Sequence, residues 1–402
     1  MKVNNFTIEQ ALENVGSLAE QTAHQVDDKY VKRPDEQIER IARILTDRSY
    51  QQKFLLAGQD GCGKTTELNR LEELVSDQYT VVRCDHRHFH NLNHAEDIEF
   101  LFVLLRAFIS AAKEISPEIQ DKIAKAFKKV FDPSRIPEVG LKMSILGITL
   151  SKKLAPKKED IRREASIREE FGMFRSELNS VVHKAIEVIK IYKEKPVLLI
   201  VDDLEKFQYK QVFNLMTENY QILSSLPCAV VYTVPLWILF EDERSKLEEV
   251  FHPINLSNIP LFDKKDKIIK KKGGPFFHKI AKLRIGKLWT DLEGILKDYV
   301  VAASGGHLRQ FLSLLRSLLL EAYDNPDKKI EKEHIKRSFM QITTNFRRIL
   351  NPGDRDMLEN VRKTREYNYS LDRRLLQNFS VLEYWHPDLG TWYDVNPMAF
   401  PN

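Results

Sequence analysis

The sequence predicts an α/β fold built around a parallel sheet. Three short apolar stretches indicate strands, at residues 54–57, 197–201 and 228–233. The second is a run of apolar residues that ends in two carboxylates, a pattern typical of a strand buried on both faces of a parallel sheet. Helical periodicity between these stretches makes strands and helices alternate, as in α/β domains.

A glycine-rich loop follows the first of these strands. Residues 58–65 read Gly-Gln-Asp-Gly-Cys-Gly-Lys-Thr, which fits the phosphate-loop pattern G-x-x-x-x-G-K-[ST]. Glycines let main-chain N–H groups turn inward around phosphate oxygens, and the helix beginning near Lys64 points the positive end of its dipole at the anion. In this pattern Lys64 bridges the β- and γ-phosphates of a nucleotide, and Thr65 offers its hydroxyl to Mg²⁺. The residues expected to surround the phosphates are Gly58, Gln59, Asp60, Gly61, Cys62, Gly63, Lys64, Thr65 and Thr66.

Two carboxylates, Asp202 and Asp203, directly follow the strand at 197–201. The carboxyl ends of parallel strands are where α/β sheets place their ligands. We expect Asp202 to hold Mg²⁺ through water. We expect Asp203 to orient or deprotonate the attacking water, with Glu205 as the reserve candidate for that task.

Two further groups of residues are candidates for the same site. The strand at 228–233 should lie beside the phosphate strand, so Thr233 can sense the γ-phosphate or position the water; a threonine that merely caps the strand is an equal alternative. The segment just before the phosphate strand is a natural place for a nucleobase pocket, lined by Tyr30, Val31 and Arg33. A simple helix-entry loop explains those three residues equally well.

Arg309 stands in the first turn of a predicted helix. Gly305 and Gly306 break the preceding helix, and Ser304 or Gly306 is expected to start the next one. A positive charge at a helix N-terminus opposes the helix dipole. The conflict indicates a nearby anion, such as a γ-phosphate delivered by closure of a helical lid.

Two other candidates carry weaker signals. Arg244 can project into a neighbouring subunit as an arginine finger, although a solvated surface arginine is the better interpretation. A histidine-rich stretch after the strand at 79–84 can hold a metal, although a plain loop explains it better without a matching set of cysteines or carboxylates. Its members are His86, His88, His90 and His94.

Composition bounds the possible functions. The chain has 402 residues, with 62 Lys and Arg against 58 Asp and Glu, so bulk charge gives no argument for nucleic-acid binding. Its three cysteines, Cys62, Cys84 and Cys228, form neither a metal-like pair nor a disulfide framework, which fits a reducing cytosol. No apolar signal core opens the sequence, and the longest apolar run, near 100–109, is too short to span a membrane. We therefore expect a cytoplasmic protein with no membrane partner.

Four regions are predicted along the chain. They are an N-terminal helix and linker at 1–29, a P-loop core at 30–263, a helical lid at 264–330 and a winged-helix domain at 331–402. The core carries an insertion at about 113–193, with a β-hairpin at 139–152 and a long helix at 160–193. Packing of that helix on the nucleotide domain is favoured over a coiled-coil partner face.

The last two regions carry basic residues. The lid opens with a lysine run at 264–272, which can touch nucleic-acid phosphates but is more often only solvated. The last region reads as helices at 331–349, 353–365 and 370–378 followed by a β-hairpin, the winged-helix order. Its arginines make DNA an open alternative to protein contact or intramolecular packing; they are Arg347, Arg348, Arg355, Arg362, Arg365, Arg373 and Arg374.

Taken together, these motifs resemble P-loop ATPases of the AAA+/STAND type, nearest to origin-recognition initiator ATPases and related bacterial ATPases. The likeness covers roughly residues 28–400. It rests on Tyr30-Val-Lys-Arg, the loop at 58–65, Val201-Asp-Asp-Leu-Glu, the strand end Tyr232-Thr233, Gly305-Gly-His-Leu-Arg309 and the C-terminal wing. The resemblance implies an ATP site between an α/β domain and a helical lid, with Arg309 as the second sensor arginine. It also implies ATP-dependent oligomers.

Three departures from the family pattern change what the resemblance implies. The second acidic position is Asp203 where Glu is commoner, so hydrolysis should be slow and switch-like. No convincing arginine finger is present, which argues against ring-type catalysis in trans. The 113–193 insertion exceeds a minimal core and can serve a partner.

The leading functional hypothesis is a Mg²⁺-dependent ATP-binding and hydrolysing switch that regulates or loads a partner. Family likeness places such switches in bacterial DNA transactions or in defence against mobile elements. One alternative is a DNA-binding loader that uses the winged helix and the lysine run on duplex DNA. Another is a nucleotide-stabilised scaffold with little turnover. The partner is expected to be a protein effector or a second copy of the chain.

Overall fold

The computed structural model describes most of the chain. The described residues are 5–16, 30–47, 52–84, 97–130, 142–145, 148–151, 161–207, 209–262, 273–325, 332–369 and 372–399. The histidines at 86–94 and the lysine run at 264–272 lie outside these ranges, so the expectations made for them rest on sequence. Within the described part, none of the helices has the length and apolar character needed to traverse a membrane.

The described strands form one sheet and two hairpins. In chain order they are β1 (Lys53–Gly58), β2 (Thr80–Cys84), β3 (Lys142–Ile145), β4 (Ile148–Ser151), β5 (Val197–Val201), β6 (Ala229–Pro235), β7 (His252–Asn255), β8 (Val381–His386) and β9 (Gly390–Val395). The sheet is parallel throughout, in the order β2-β5-β6-β1-β7. The antiparallel pairs β3–β4 and β8–β9 are the two hairpins. The predicted parallel α/β core is therefore confirmed.

Helices cover the sheet and build the rest of the molecule. In chain order they are α1 (Asn5–Gly16), α2 (Gln37–Asp47), α3 (Lys64–Val75), α4 (Asp97–Ile115), α5 (Pro117–Val130), α6 (Ile161–Lys193), α7 (Tyr209–Phe213), α8 (Tyr220–Ser225), α9 (Arg244–Glu248), α10 (Gly273–Ile285), α11 (Trp289–Ile295), α12 (Val301–Ser304), α13 (Leu308–Asp324), α14 (Lys332–Ile349), α15 (Asp354–Thr364) and α16 (Arg374–Gln377). Single segments of 3₁₀ or π geometry lie between some of them, at Leu204–Lys206, Asn214–Glu218, Leu236–Phe240, Gly286–Leu288 and Leu296–Val300.

Alternation along β1 explains the layered core. Leu55 and Ala57 face a layer formed by α4 and α6, whereas Phe54 and Leu56 face α2 and α3 on the other side. Because successive side chains of a strand point to opposite faces, a strand covered on both sides is apolar at nearly every position. The exception in β1 is Lys53, whose Nζ donates to Leu226 O and Cys228 O. All six residues of β1 are buried.

The order of the strands decides which ends meet. β1 lies between β6 and β7, with Leu56 opposite both Thr233 and Ile254. β5 pairs with the other side of β6. The expectation that the strand ending near Thr233 lies beside the phosphate strand is confirmed, and the ends of β1, β6 and β5 lie at the same edge of the sheet.

The β-hairpin and the long helix predicted between residues 139 and 193 are both present. β3 and β4 pair through Lys142 to Ile145 and Ile148 to Ser151, within the predicted range. The described part of the long helix, α6, runs over Ile161–Lys193, within the predicted range 160–193. Between Leu178 and Ile189 one face of the helix joins the main core, with Val182, Ile186 and Ile189 fully buried. This segment thus packs on the nucleotide domain, the interpretation that the sequence favoured.

A second apolar core holds the helices that follow the sheet. We call the described residues 273–325 the lid; they comprise α10 to α13. Ile8 of α1 and Phe339 of α14 belong to the same core as Phe277 and Phe311 of the lid. The first helix of the chain and α14 therefore pack on the lid rather than on the sheet.

The C-terminal unit, residues 354–369 and 372–399, packs on the main core instead. Leu358, Leu375, Val381 and Val395 share an apolar cluster with the sheet. The unit consists of α15, α16 and the β8–β9 hairpin; the first helix of the predicted winged helix, α14, packs on the lid instead, so the winged helix stays a prediction. It contacts both the core and the lid, which brings it close to the phosphate loop.

Candidate functional site

The phosphate loop has the backbone that its glycines predict. Gly61 and Gly63 have φ values of 83° and 107°, in the left-handed region that L side chains rarely adopt. α3 begins immediately afterwards at Lys64, so the first N–H groups of the helix face the loop. This is the strand–loop–helix arrangement that cradles phosphate in P-loop proteins.

Lys64 is buried and held between the loop and the acidic strand. Its Nζ donates to the carbonyl oxygens of Gly58 at 3.0 Å and Gln59 at 3.3 Å. The same atom lies 3.1 Å from Glu205 Oε1, with side-chain exposures of 3% and 9%. Glu205 raises the pKa of Lys64 against the effect of burial, so the ammonium stays charged.

An acidic cluster occupies the end of β5. Carboxylate oxygens of Asp202, Asp203 and Glu205 all lie within 4.8 Å of one another. Burial and the two neighbouring carboxylates raise the pKa of Asp202 to about 6, against a hydrogen bond from the Thr65 hydroxyl. Asp203 adopts a left-handed backbone, with φ 73°, and its N–H donates to Asp202 Oδ1 at 2.9 Å.

Thr233 links the neighbouring strand to this cluster. Its hydroxyl donates to Glu205 Oε2 at 2.8 Å, and the side chain is fully buried. Glu205 therefore contacts Lys64 through one oxygen and Thr233 through the other. The structure brings together six residues that the sequence assigned to the site, namely Lys64, Thr65, Asp202, Asp203, Glu205 and Thr233.

The segment before β1, which begins at Tyr30, contacts the phosphate loop through Arg33. Arg33 is buried and donates to Cys62 O at 2.8 Å and to Ser257 O at 2.7 Å, while it also pairs with Asp35. Val31 belongs to the lid core. This segment therefore lies where the phosphate loop and the lid meet.

Glu67 is a buried acid that the sequence did not single out. Tyr30 Oη donates to Glu67 Oε2 at 3.5 Å, and Arg70 lies over the Tyr30 ring. Burial raises the pKa of Glu67 to about 8, although the charge of Arg33 opposes the shift. A glutamate in the first turn of a helix usually faces solvent, so the pattern gave no signal for burial.

The lid meets the phosphate loop at its helix N-terminus. The main-chain N–H of Arg309 donates to Gly61 O at 3.1 Å, and Arg309 forms an ion pair with Asp60. His307 Nε2 lies 2.8 Å from Asp60 O. The anion that the sequence anticipated near Arg309 is thus supplied by the loop itself, which offsets the unfavourable charge at the helix start.

The predicted start of α13 was wrong. His307 is the N-cap, and its Nδ1 accepts from Gln310 N at 3.1 Å. Ser304 and Gly306 do not cap this helix, because the Ser304 hydroxyl donates to Val301 O and accepts from Gly306 N at the end of α12. A histidine is not among the usual N-cap residues, which explains why the pattern misled.

Some members of the loop contribute only main chain to its phosphate face. Cys62 is buried against the sheet, where burial raises the pKa of its thiol. The Gln59 side chain is buried and bonds to the C-terminal unit. Thr66 is half-buried on the first turn of α3. Outside the loop, Arg244 pairs with Glu248 on its own helix.

This loop, the acidic strand end and the sheet order together define a P-loop NTPase domain. Residues 35–234 match the profile of the KAP family P-loop domain. That segment contains the phosphate loop, the end of β5 and most of β6. The predicted P-loop NTPase core is confirmed by this match; the lid and the C-terminal unit lie outside the matched residues.

Two solved structures align along nearly the whole chain. The Orc1 protein of Aeropyrum pernix, determined in complex with DNA, covers 96% of this chain and 93% of its own at 14% identity and a TM-score of 0.44. Cdc6p from Pyrobaculum aerophilum covers 98% and 94% at 13% identity and a TM-score of 0.41. The predicted resemblance to origin-recognition proteins is thus confirmed. At these sequence identities and TM-scores it gives no information about function. No curated protein matches the chain.

Proposed function

We propose that this protein is an ATP-binding switch that hydrolyses ATP slowly with Mg²⁺ and regulates a partner. The observation that carries the proposal is the buried contact of Lys64 with Glu205, 3.1 Å apart, with Thr233 on the other Glu205 oxygen. The Lys64 ammonium is a buried positive charge that can bind the phosphates of a nucleotide. The γ-phosphate can replace Glu205 as its partner, because a charge in so buried a site needs a counter-charge.

The residues beside Lys64 fit a magnesium ion. The Thr65 hydroxyl and the Asp202 carboxylate are already hydrogen-bonded to each other and supply the oxygen ligands that Mg²⁺ prefers. Mg²⁺ would neutralise charge on the phosphates. Ionised Asp202 is disfavoured by burial and by two neighbouring carboxylates, so a cation there would relieve the repulsion.

Glu205 and Asp203 are the two candidates for orienting or deprotonating the attacking water. Glu205 is supported by its contacts, because exchange of Lys64 onto a phosphate frees one carboxylate oxygen while Thr233 still positions the other. Asp203 is supported by its place directly after Asp202 and by its constrained backbone. Strain at such a residue is a motive for testing it rather than a proof of its role.

The remaining contacts assign roles to the base and the lid. We place the nucleobase near Tyr30, Val31 and Arg33, where the segment before β1 meets α3 and the lid. Arg309 is the lid residue that would read the γ-phosphate, by leaving Asp60 for the stronger anion. Nucleotide binding and lid position would thereby be linked.

Nucleotide binding and phosphate release on one preparation test the proposal. Wild type should bind Mg-ATP and release phosphate, Lys64→Ala should lose binding, and Glu205→Gln and Asp203→Asn should keep binding with reduced turnover. Binding without phosphate release, unchanged in both acidic variants, would instead support a scaffold. Absence of Lys64-dependent binding of ATP or GTP would contradict the proposal.

DNA binding is not part of the proposed function, but duplex DNA can be added to the same phosphate-release assay to test the loader alternative. Four arginines of the predicted winged helix form ion pairs inside the chain; the pairs are Arg355–Glu359, Arg365–Asp394, Arg373–Glu241 and Arg374–Asp354. They therefore give DNA binding no support beyond the sequence. A rise in turnover or particle mass with DNA, steeply weakened by salt, would favour the loader alternative. Turnover indifferent to DNA would favour a protein effector or a second copy of the chain.

A further inference from the structure

The β8–β9 hairpin touches the phosphate loop and the lid at the same time. These two contacts are made by two glutamines, Gln59 on the loop and Gln310 on the lid. Both side chains are buried, at 5% and 8% exposure. Neither residue has an evident role in phosphate chemistry, since both amides are directed at the C-terminal unit.

Gln59 forms hydrogen bonds through both ends of its side-chain amide. Nε2 donates to Leu376 O and Val381 O, each at 2.9 Å. Oε1 accepts from Glu383 N at 3.1 Å and from the Asn258 amide. Two donors and two acceptor positions are thus all used, which is the full capacity of a glutamine. Three of the four partners belong to the C-terminal unit.

Gln310 forms a reciprocal pair with the end of the hairpin. Its Nε2 donates to Asn396 Oδ1 at 3.0 Å, and Asn396 Nδ2 donates back to Gln310 Oε1 at 2.7 Å. Close by, the Tyr384 hydroxyl donates to Gly305 O. Gln310 directly follows Arg309, the residue whose main chain bonds to the phosphate loop. The hairpin therefore holds the lid at the point where the lid meets the loop.

The phosphate loop, the lid and the β8–β9 hairpin each contact the other two, and we call this arrangement the triangle. The lid reaches the phosphate loop through the Arg309 N–H on Gly61 O and through His307 on Asp60 O. The hairpin contacts both, so the lid cannot leave the loop while both glutamines stay paired. Lid opening must break the Gln310–Asn396 pair or carry the hairpin away from Gln59. Each of these steps uncovers buried amides, which is costly.

From this triangle we propose that the β8–β9 hairpin is a latch that keeps the lid closed on the phosphate loop and sets the rate of nucleotide exchange. The proposal rests on the proposed nucleotide site. It implies that a partner which binds the C-terminal unit and draws it from Gln59 and Gln310 accelerates release of the bound nucleotide. Direct competition with the nucleotide is not needed for that effect.

Dissociation of mant-ADP, a fluorescent ADP analogue, measures the latch. The protein is loaded with mant-ADP and Mg²⁺ and chased with excess unlabelled ATP in stopped flow. Gln59→Leu and Gln310→Leu should each raise the dissociation rate at least about tenfold, because each removes more than one buried hydrogen bond. Gln341→Leu is the matched control, since Gln341 is exposed and bonds only to Asn345 among described residues; its rate should equal wild type. Unchanged rates in both latch variants would overturn the proposal.

Hydrogen exchange on unmodified protein gives a second readout that needs no variant to fold. Peptides covering 305–310 and 381–396 should gain further protection together when Mg-ATPγS is added. Opening of one segment without the other would overturn the latch. Failure of the nucleotide site is recognised separately, because mant-ADP would then show no Lys64-dependent binding. The two glutamine variants without nucleotide would still show increased exchange at 305–310 if the latch is real.

Discussion

Two polar networks flank the phosphate loop, and they differ in charge. On the phosphate side Lys64, Glu205 and Thr233 form a charged network at the end of the sheet. On the other side Gln59 and Asn258 form a neutral network with the main chain of the C-terminal unit. Both are buried; the Gln59 amide is fully paired, whereas Asn258 pairs through its Nδ2 and not through its Oδ1.

The difference shows which network a nucleotide can change. A buried ion pair costs desolvation that its own attraction barely recovers, so an incoming polyanion can take one partner over. A neutral amide network carries no charge that a phosphate could replace, and its buried hydrogen bonds are expensive to break. The charged side is therefore suited to bind the ligand, and the neutral side is suited to transmit what binding does to the loop.

The largest expected effect is loss of nucleotide binding in Lys64→Ala. This change removes the cation that contacts phosphate and leaves Glu205 buried beside two other carboxylates. We expect the affinity for Mg-ATP to fall by about a thousandfold or more, the cost of several kcal/mol for an unpaired buried charge. Equilibrium titration with a fluorescent nucleotide measures it.

Lys53→Met is the matched control for Lys64. Lys53 is also buried, at 5% exposure, and donates to Leu226 O and Cys228 O at the opposite end of β1. Its loss should reduce the free energy of unfolding and leave the nucleotide affinity of the folded fraction unchanged. Equal loss of affinity in both variants would mean that Lys64 acts only through stability.

The second effect concerns turnover. In Glu205→Gln we expect phosphate release to fall by about a hundredfold or more with ATP binding retained, as for removal of a general base. Asp203→Asn should lower turnover less, because the Asp203 main-chain bond to Asp202 survives the change. Single-turnover measurements separate the chemical step from product release. A larger loss in Asp203→Asn would return the role to Asp203.

The phosphate side was predictable from sequence, and the neutral side was not. The phosphate loop and the apolar strand ending in Asp202 are recognisable because each is a run of consecutive residues. The loop needs glycines for its backbone conformation, and a strand buried on both faces needs apolar residues. The contacts of Gln59, by contrast, could not be predicted from the sequence. It occupies a variable position of the pattern, and its partners at 376, 381 and 383 lie more than three hundred residues away. Only the tertiary fold brings them together.

The start of α13 illustrates the same limit on a smaller scale. Local propensity favoured Ser304 or Gly306 as the cap, but tertiary contact with Asp60 holds His307 in the capping position. Glu67 is similar, since its burial depends on Tyr30 and Arg33 packing over the first turn of α3. Helix boundaries and buried acids are decided by neighbours that periodicity does not reveal.

The third effect tests the neutral network through stability. Gln59→Leu keeps roughly the volume of the side chain and removes its hydrogen bonds to two carbonyl oxygens, to Glu383 N and to Asn258 Nδ2, which keeps only its bond to Glu383 O. We expect the free energy of unfolding to fall by about 2–4 kcal/mol. Urea denaturation of the nucleotide-free protein measures it. Gln341→Leu should change it by less than about 0.5 kcal/mol, as for most exposed positions. A loss as small as the control's would mean that the network is loosely formed.

The smallest effect is a pH dependence at the junction of the two networks. Burial lowers the pKa of His307 from 6.5 to about 4, with the charge of Arg309 adding to the shift and contact with Asp60 opposing it. Because the unfolded chain binds the proton more readily, the stability that neutral His307 provides is complete above pH 6.5 and is lost as the pH falls toward 4.

Between pH 6.5 and 5.5 this should remove about 1 kcal/mol from the free energy of unfolding. Protonation of Nδ1 would also displace the bond from Gln310 N, which caps α13 beside the Gln310–Asn396 pair. His307→Asn retains an N-cap acceptor without a titrating group, so the part of the pH dependence due to His307 should vanish in that variant. Denaturation curves at several pH values for both proteins measure the difference. Parallel pH profiles would show that protonation of His307 is not linked to unfolding, which requires the same His307 pKa in the folded and unfolded chain.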